Sequence, residues 1–67
     1  MAKIKFEPLK VKTAMIEKGY NQEKLSKELN MSISTLNYKL NGKVDFKICE
    51  IQEIANLLDK EISYFFN

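Results

Sequence analysis

The chain has no histidine, no arginine and a single cysteine, Cys49, in 67 residues. A disulfide framework and a standard zinc site within one chain are excluded, because both need thiols or imidazoles in sets. Nucleophilic or general acid–base catalysis wants histidine, a low-pKa cysteine or paired carboxylates in a cleft, and so short a chain offers little room for a pocket of the usual size. No enzyme, metal, cofactor or small-molecule ligand is therefore expected. Cys49, with no neighbour to activate it, reads as a small half-buried side chain. All eleven basic residues are lysine. Lysine meets phosphate as a point charge but lacks the rigid fork that pairs with both acceptors of guanine.

Long apolar runs are missing too. Nothing approaches the roughly 20 residues needed to span a bilayer. The start, MAKIKF, has no apolar stretch behind it to make a secretory signal. The expectation is a cytoplasmic chain without membrane association. With one proline and two glycines there is no linker, and no repeat or low-complexity segment is present. At 45% hydrophobic and 30% charged residues, the composition is that of a soluble globular protein. Its length allows one domain, 1–67, near the lower limit for folding without staples, so the fold must rest on packing.

The net charge is only +2, but it is unevenly spread. Residues 1–47 hold ten lysines against five acids, a balance of +5, whereas residues 48–67 hold Lys60 against Glu50, Glu53, Asp59 and Glu61, a balance of −3. A polyanion would meet the front of the molecule.

Taken in order, residues 1–6 suit a short edge strand or a flexible basic arm equally well. Pro8 is placed to open a helix, in which Leu9, Thr13 and Ile16, with Val11, Ala14 and Met15 beside them, form a broad apolar face. Gly19 ends it, and Tyr20 can fold its ring back.

The centre of the chain is 21–43, NQEKLSKELNMSISTLNYKLNGK, which reads as two short helices around a tight polar break, a helix-turn-helix. Asn21 caps the first helix, Glu23 sits in its positive first turn, and Leu25 and Leu29 share a face. Asn30 tolerates the left-handed backbone that a sharp exit needs. Ser32 caps the second helix, Leu36 and Leu40 face inward, and Asn41-Gly42 ends it. At about 100° per residue, Ser34, Asn37, Tyr38 and Asn41 fall in one outward arc, the candidate reading surface.

Val44-Asp45-Phe46 is then a connection with Phe46 as a core plug. Ile48, Ile51, Ile54 or Ala55, and Leu58 predict an amphipathic helix over 47–58, with Glu50, Glu53 and Asn56 on its wet side and Asp45 as its cap. The tail, 59–67, is too short to be stable alone and too apolar to stay in water. Ile62 and Phe65 are assigned to the chain's own core. Tyr64 and Phe66 are left for that core or for a second chain across a two-fold axis.

The 21–43 stretch resembles the helix-turn-helix family of phage Cro and repressor proteins and their bacterial relatives. Gln22, Leu25, Leu29, Ser32, Ser34-Thr35-Leu36 and Asn41-Gly42-Lys43 match that family's pattern. The ending Lys39-Leu40-Asn41-Gly42-Lys43, Phe46 and the Tyr64-Phe65-Phe66 tail look like the short Cro-like proteins of phages and prophages in Gram-positive bacteria. The resemblance implies an all-α, lambda-repressor-like bundle of about five helices. It also implies a regulator that binds double-stranded operator DNA as a homodimer, with helix 3 in the major groove.

By family position, Ile33, Ser34 and Tyr38, with Ser32 and Asn37 beside them, would contact bases. Asn21, Gln22, Lys39, Asn41 and Lys43 would hold phosphates, Gln22 at the positive end of helix 2. Relatives often carry arginine or glutamine where this chain has Ile33 and Tyr38. Isoleucine can touch only thymine methyls and tyrosine offers one hydroxyl, so shape readout must supply part of the discrimination. A second reading keeps the fold but has it grip a phage repressor protein as an antirepressor, with Tyr64 and Phe66 as candidate partner surface.

Overall fold

In the computed structural model, which describes residues 5–66, Pro8 occupies the first position of helix α1 (Pro8–Lys18), where its missing N–H leaves no bond unmade. Gly19, at φ 75°, stops the helix and turns its own N–H and that of Tyr20 back to the carbonyls of Ile16 and Met15, at 3.2 and 2.8 Å. Three further helices follow, α2 (Gln22–Glu28), α3 (Ile33–Leu40) and α4 (Ile48–Leu57), and a 3-10 turn (Ile62–Phe65) closes the chain. The expected count of five helices is thus corrected to four α-helices and one 3-10 turn among the described residues. A four-residue segment has too few internal hydrogen bonds to hold an α-helical turn by itself. None of these helices is long and apolar enough to cross a membrane.

Each helix turns one face to a shared core. Val11, Ala14 and Met15 come from α1, Leu25 from α2, Leu36 and Leu40 from α3, and Ile51, Ile54 and Ala55 from α4. Leu29, Phe46, Leu58 and Phe65 complete the core from the connections and the tail. Phe65 is fully enclosed and is the largest of the fully buried side chains, so the 3-10 turn locks the open end of the bundle.

The apolar stripe expected on α1 divides. Leu9 is 67% exposed and Ile16 78% exposed. At about 100° per residue both lie roughly 150° around the axis from Val11, so burying Val11, Ala14 and Met15 turns them to solvent. Ile48, first in α4, is also exposed, and Cys49 is exposed rather than half-buried. The cap of α4 is Lys47, not Asp45, and its N–H donates to the Glu50 carboxylate at 2.8 Å.

The tail reverses part of its expected assignment. Ile62 is exposed, while Tyr64 and Phe66 pack at the edge of the core. Phe66 forms an isolated antiparallel bridge with Phe6, and the Glu7 N–H donates to the Phe65 carbonyl at 2.7 Å. The Phe6 ring meets Phe46 and Phe66 edge-on at 5.3 and 5.6 Å. Of the strand-or-arm question over residues 1–6, positions 1–4 lie outside the described residues, and Phe6 makes only this single bridge.

Candidate nucleic-acid interface

The turn between α2 and α3 is built by local chemistry. The Asn21 side-chain oxygen accepts from the Lys24 N–H at 2.7 Å, which starts α2. Asn30 takes φ 61°, and the Met31 N–H returns to the Ser26 carbonyl at 3.0 Å. Ser26 is small and buried, and its hydroxyl donates to the Glu23 carbonyl at 2.8 Å, so no polar atom is stranded at this close approach. Ser32 then caps α3, accepting from the Thr35 N–H at 3.1 Å and donating to the Thr35 hydroxyl at 2.9 Å. Gly42, at φ 79°, ends α3 and turns the Lys43 N–H back to the Tyr38 carbonyl at 2.9 Å.

Leu36 and Leu40 therefore point into the core, and the opposite side of α3 faces outward as the spacing predicts. Ser34 and Asn41 are exposed, Ile33 is 48% exposed and Tyr38 50% exposed. Asn37 is half-buried, with its amide donating to the Gln22 side-chain oxygen at 3.3 Å and accepting from the Asn41 amide at 3.0 Å. The Lys43 ammonium lies 5.8 Å from the centre of the Tyr38 ring. The Ser32 hydroxyl both accepts and donates within its cap and keeps one lone pair, whereas Asn21, whose oxygen accepts as a cap, keeps its other lone pair and its amide donors.

Lys39 departs from the expected set. Its side chain is 7% exposed, and its ammonium donates to both oxygens of Glu50, at 2.6 and 2.8 Å. It also lies 5.9 Å from the centre of the Phe46 ring. At about 100° per residue Lys39 stands about 60° around α3 from Leu36, at the border of the inner face on the side away from Leu40, and a neighbouring carboxylate makes the burial of a charge tolerable. It is withdrawn from the phosphate-contacting residues. Glu50, expected on the wet side of α4, is its partner.

Burial acts to raise the Glu50 pKa. The hydrogen bonds from Lys39 and from the Lys47 N–H, with the charges of both lysines, outweigh it and hold the carboxyl below its ordinary value. The pair ties the last turn of α3 to the first turn of α4.

Sequence reasoning missed Lys12. Its ammonium, on α1, reaches the Asn41 side-chain oxygen at 3.4 Å across a separation of 29 residues. No periodicity along the chain signals that pairing, which arises only because α1 packs beside α3.

Leu9, Val44 and Ile48 line a groove with Phe6 and Phe66, and Lys12 and Asn41 stand on its wall where it meets the reading face. Tyr64 and Phe66, expected as candidate partner surface, are both half-buried. Tyr64 stacks edge-on against Phe65 at 5.2 Å, under the ammonium of Lys60 at 4.7 Å.

Two short helices joined by a left-handed asparagine, the second capped at both ends with a polar side turned out, define a helix-turn-helix DNA-binding domain. The chain belongs to the helix-turn-helix family, whose model matches residues 11–65, and members of that family are DNA-binding transcription regulators. No curated protein matches the chain.

Proposed function

We propose that this chain is a transcriptional regulator of the phage Cro and repressor type. It binds double-stranded operator DNA with α3 in the major groove, as a homodimer whose two helices meet successive half-sites. The observation that carries this reading is the outward side of α3. Ser34, Asn37, Tyr38 and Asn41 share one face, held by caps at both ends and followed at once by Lys43.

In this reading, Ser32, Ile33, Ser34, Asn37 and Tyr38 meet base edges. Asn21, Gln22, Asn41 and Lys43 hold the phosphates that set register. Ile33 and Tyr38 supply a methyl-seeking surface and one hydroxyl, so discrimination leans on thymine contacts and on DNA shape.

A mobility-shift titration against the DNA upstream of the chain's own coding region, at several salt concentrations, tests this. Affinity should fall with salt at about 0.9 log units per neutralised phosphate and per log unit of salt. Lys43→Glu should weaken binding to all sequences and lower that slope by about one, whereas Tyr38→Ala should alter the ranking of operators. Absence of any binding at low salt would overturn the reading.

A second reading, an antirepressor that grips a repressor protein, is favoured by one observation. Leu9, Val44 and Ile48 leave apolar surface beside a groove that no part of the described chain covers. Recovery of one repressor-sized protein from a lysate, without DNA, would support it.

A further inference from the structure

We propose that Lys12 is a positioning residue that sets the polarity of a chain of three side-chain amides and so aims the donors of Gln22 outward. This rests on the reading of Gln22 as a phosphate-holding residue. The four side chains form one continuous path. The Lys12 ammonium meets Asn41 Oδ1 at 3.4 Å, Asn41 Nδ2 meets Asn37 Oδ1 at 3.0 Å, and Asn37 Nδ2 meets Gln22 Oε1 at 3.3 Å. They come from α1, the end of α3, the middle of α3 and the start of α2.

The direction of this path is not free. An amide has a donor end and an acceptor end of nearly the same shape, and either can face a neighbouring amide. An ammonium has donors only. Asn41 must therefore turn its oxygen to Lys12, which turns its nitrogen to Asn37. Asn37 then accepts with its oxygen and donates with its nitrogen to Gln22 Oε1.

Gln22 is left with both Nε2 hydrogens for an acceptor outside the chain. Among the described residues nothing accepts them. Hydrogen bonds in such a line polarise one another in the same sense, so the positive end reinforces the donor end. Without Lys12 the path can run in reverse, and Gln22 would then present an oxygen, the wrong group for a phosphate.

Lys12→Met removes the ammonium while keeping the apolar stem, and Lys12 is only half-buried on an exposed edge of α1, so the fold should survive. In the free protein, the side-chain amide NMR signals of Asn41, Asn37 and Gln22 should all move in Lys12→Met while core methyl signals stay in place. Movement confined to Asn41 would overturn the proposal.

A double-mutant cycle with Gln22→Ala separates positioning from simple loss of a charge. The probe is a duplex selected from a random pool by the wild-type chain. Lys12→Met should cost roughly threefold to tenfold more affinity when Gln22 is present than in the Gln22→Ala background. Additive losses would mean that Lys12 acts by its charge alone and would equally overturn the proposal. If the wild-type chain selects no duplex at all, the DNA-binding reading fails, and the amide signals of the free protein still decide whether Lys12 sets the path.

Discussion

Replacing Lys39 by methionine probes the largely buried ion pair with Glu50 that ties the reading helix to α4. The substitution keeps the length and apolar stem of the side chain but removes two short hydrogen bonds, at 2.6 and 2.8 Å, from the Glu50 carboxylate. Breaking a fully buried pair costs about 3–5 kcal/mol, because the surviving charge is stranded. Glu50 keeps 16% of its side chain in solvent and retains the Lys47 N–H, so the cost here should be smaller, about 2 kcal/mol. For a domain of this size that is a fall in thermal midpoint of roughly 8–16 °C, read by circular dichroism at neutral pH.

Adding Glu50→Gln removes the stranded charge yet keeps an oxygen for the Lys47 N–H, and should recover most of the loss. A fall in midpoint of less than about 3 °C for Lys39→Met would refute the reasoning. So would a double variant no more stable than the single one.

The same pair gives an acid signature. The Glu50 pKa lies lower in the folded chain than its ordinary value of 4.5, so the unfolded chain holds that proton more tightly. The stability that Glu50 contributes is fully present above pH 4.5 and is lost as pH falls through the folded value. Lys39→Met should flatten this part of the pH profile, as measured by urea midpoints between neutral and acid pH. Phe65→Ala empties the most enclosed aromatic site and should cost about 3–5 kcal/mol, enough to leave much of so small a domain unfolded in calorimetry. Ile16→Lys should change stability by less than about 0.5 kcal/mol, since Ile16 already stands in solvent; a large loss in chemical denaturation would contradict its placement.

Much of the reading helix was legible without coordinates, because its signals are local. Asn21, Asn30, Ser32 and Gly42 each act on backbone within a few residues, through a cap or a left-handed turn, and each stands where the sequence places it. Leu36 and Leu40 mark the inner face of α3 by spacing alone. On α1 and at the start of α4, spacing was not enough. Several apolar sets compete there, and only the positions of the other helices determine that Val11, Ala14 and Met15 go in while Leu9, Ile16 and Ile48 stay out.

The side-chain chemistry of the interface divides in the same way. The sequence by itself determined a helix-turn-helix over 21–43 and an outward arc on its second helix, since caps, turns and helical period are short-range properties. Tertiary structure alone decided which lysines face that surface. Lys39 looks like a solvent-facing cation one residue after Tyr38, yet α4 brings Glu50 against it and takes it inside. Lys12 carries no local mark of function, yet the packing of α1 on α3 sets it at the end of the Asn41, Asn37 and Gln22 path. A charge has no preferred face along a chain; its role depends on which opposite charge or open acceptor the fold brings within about 4 Å.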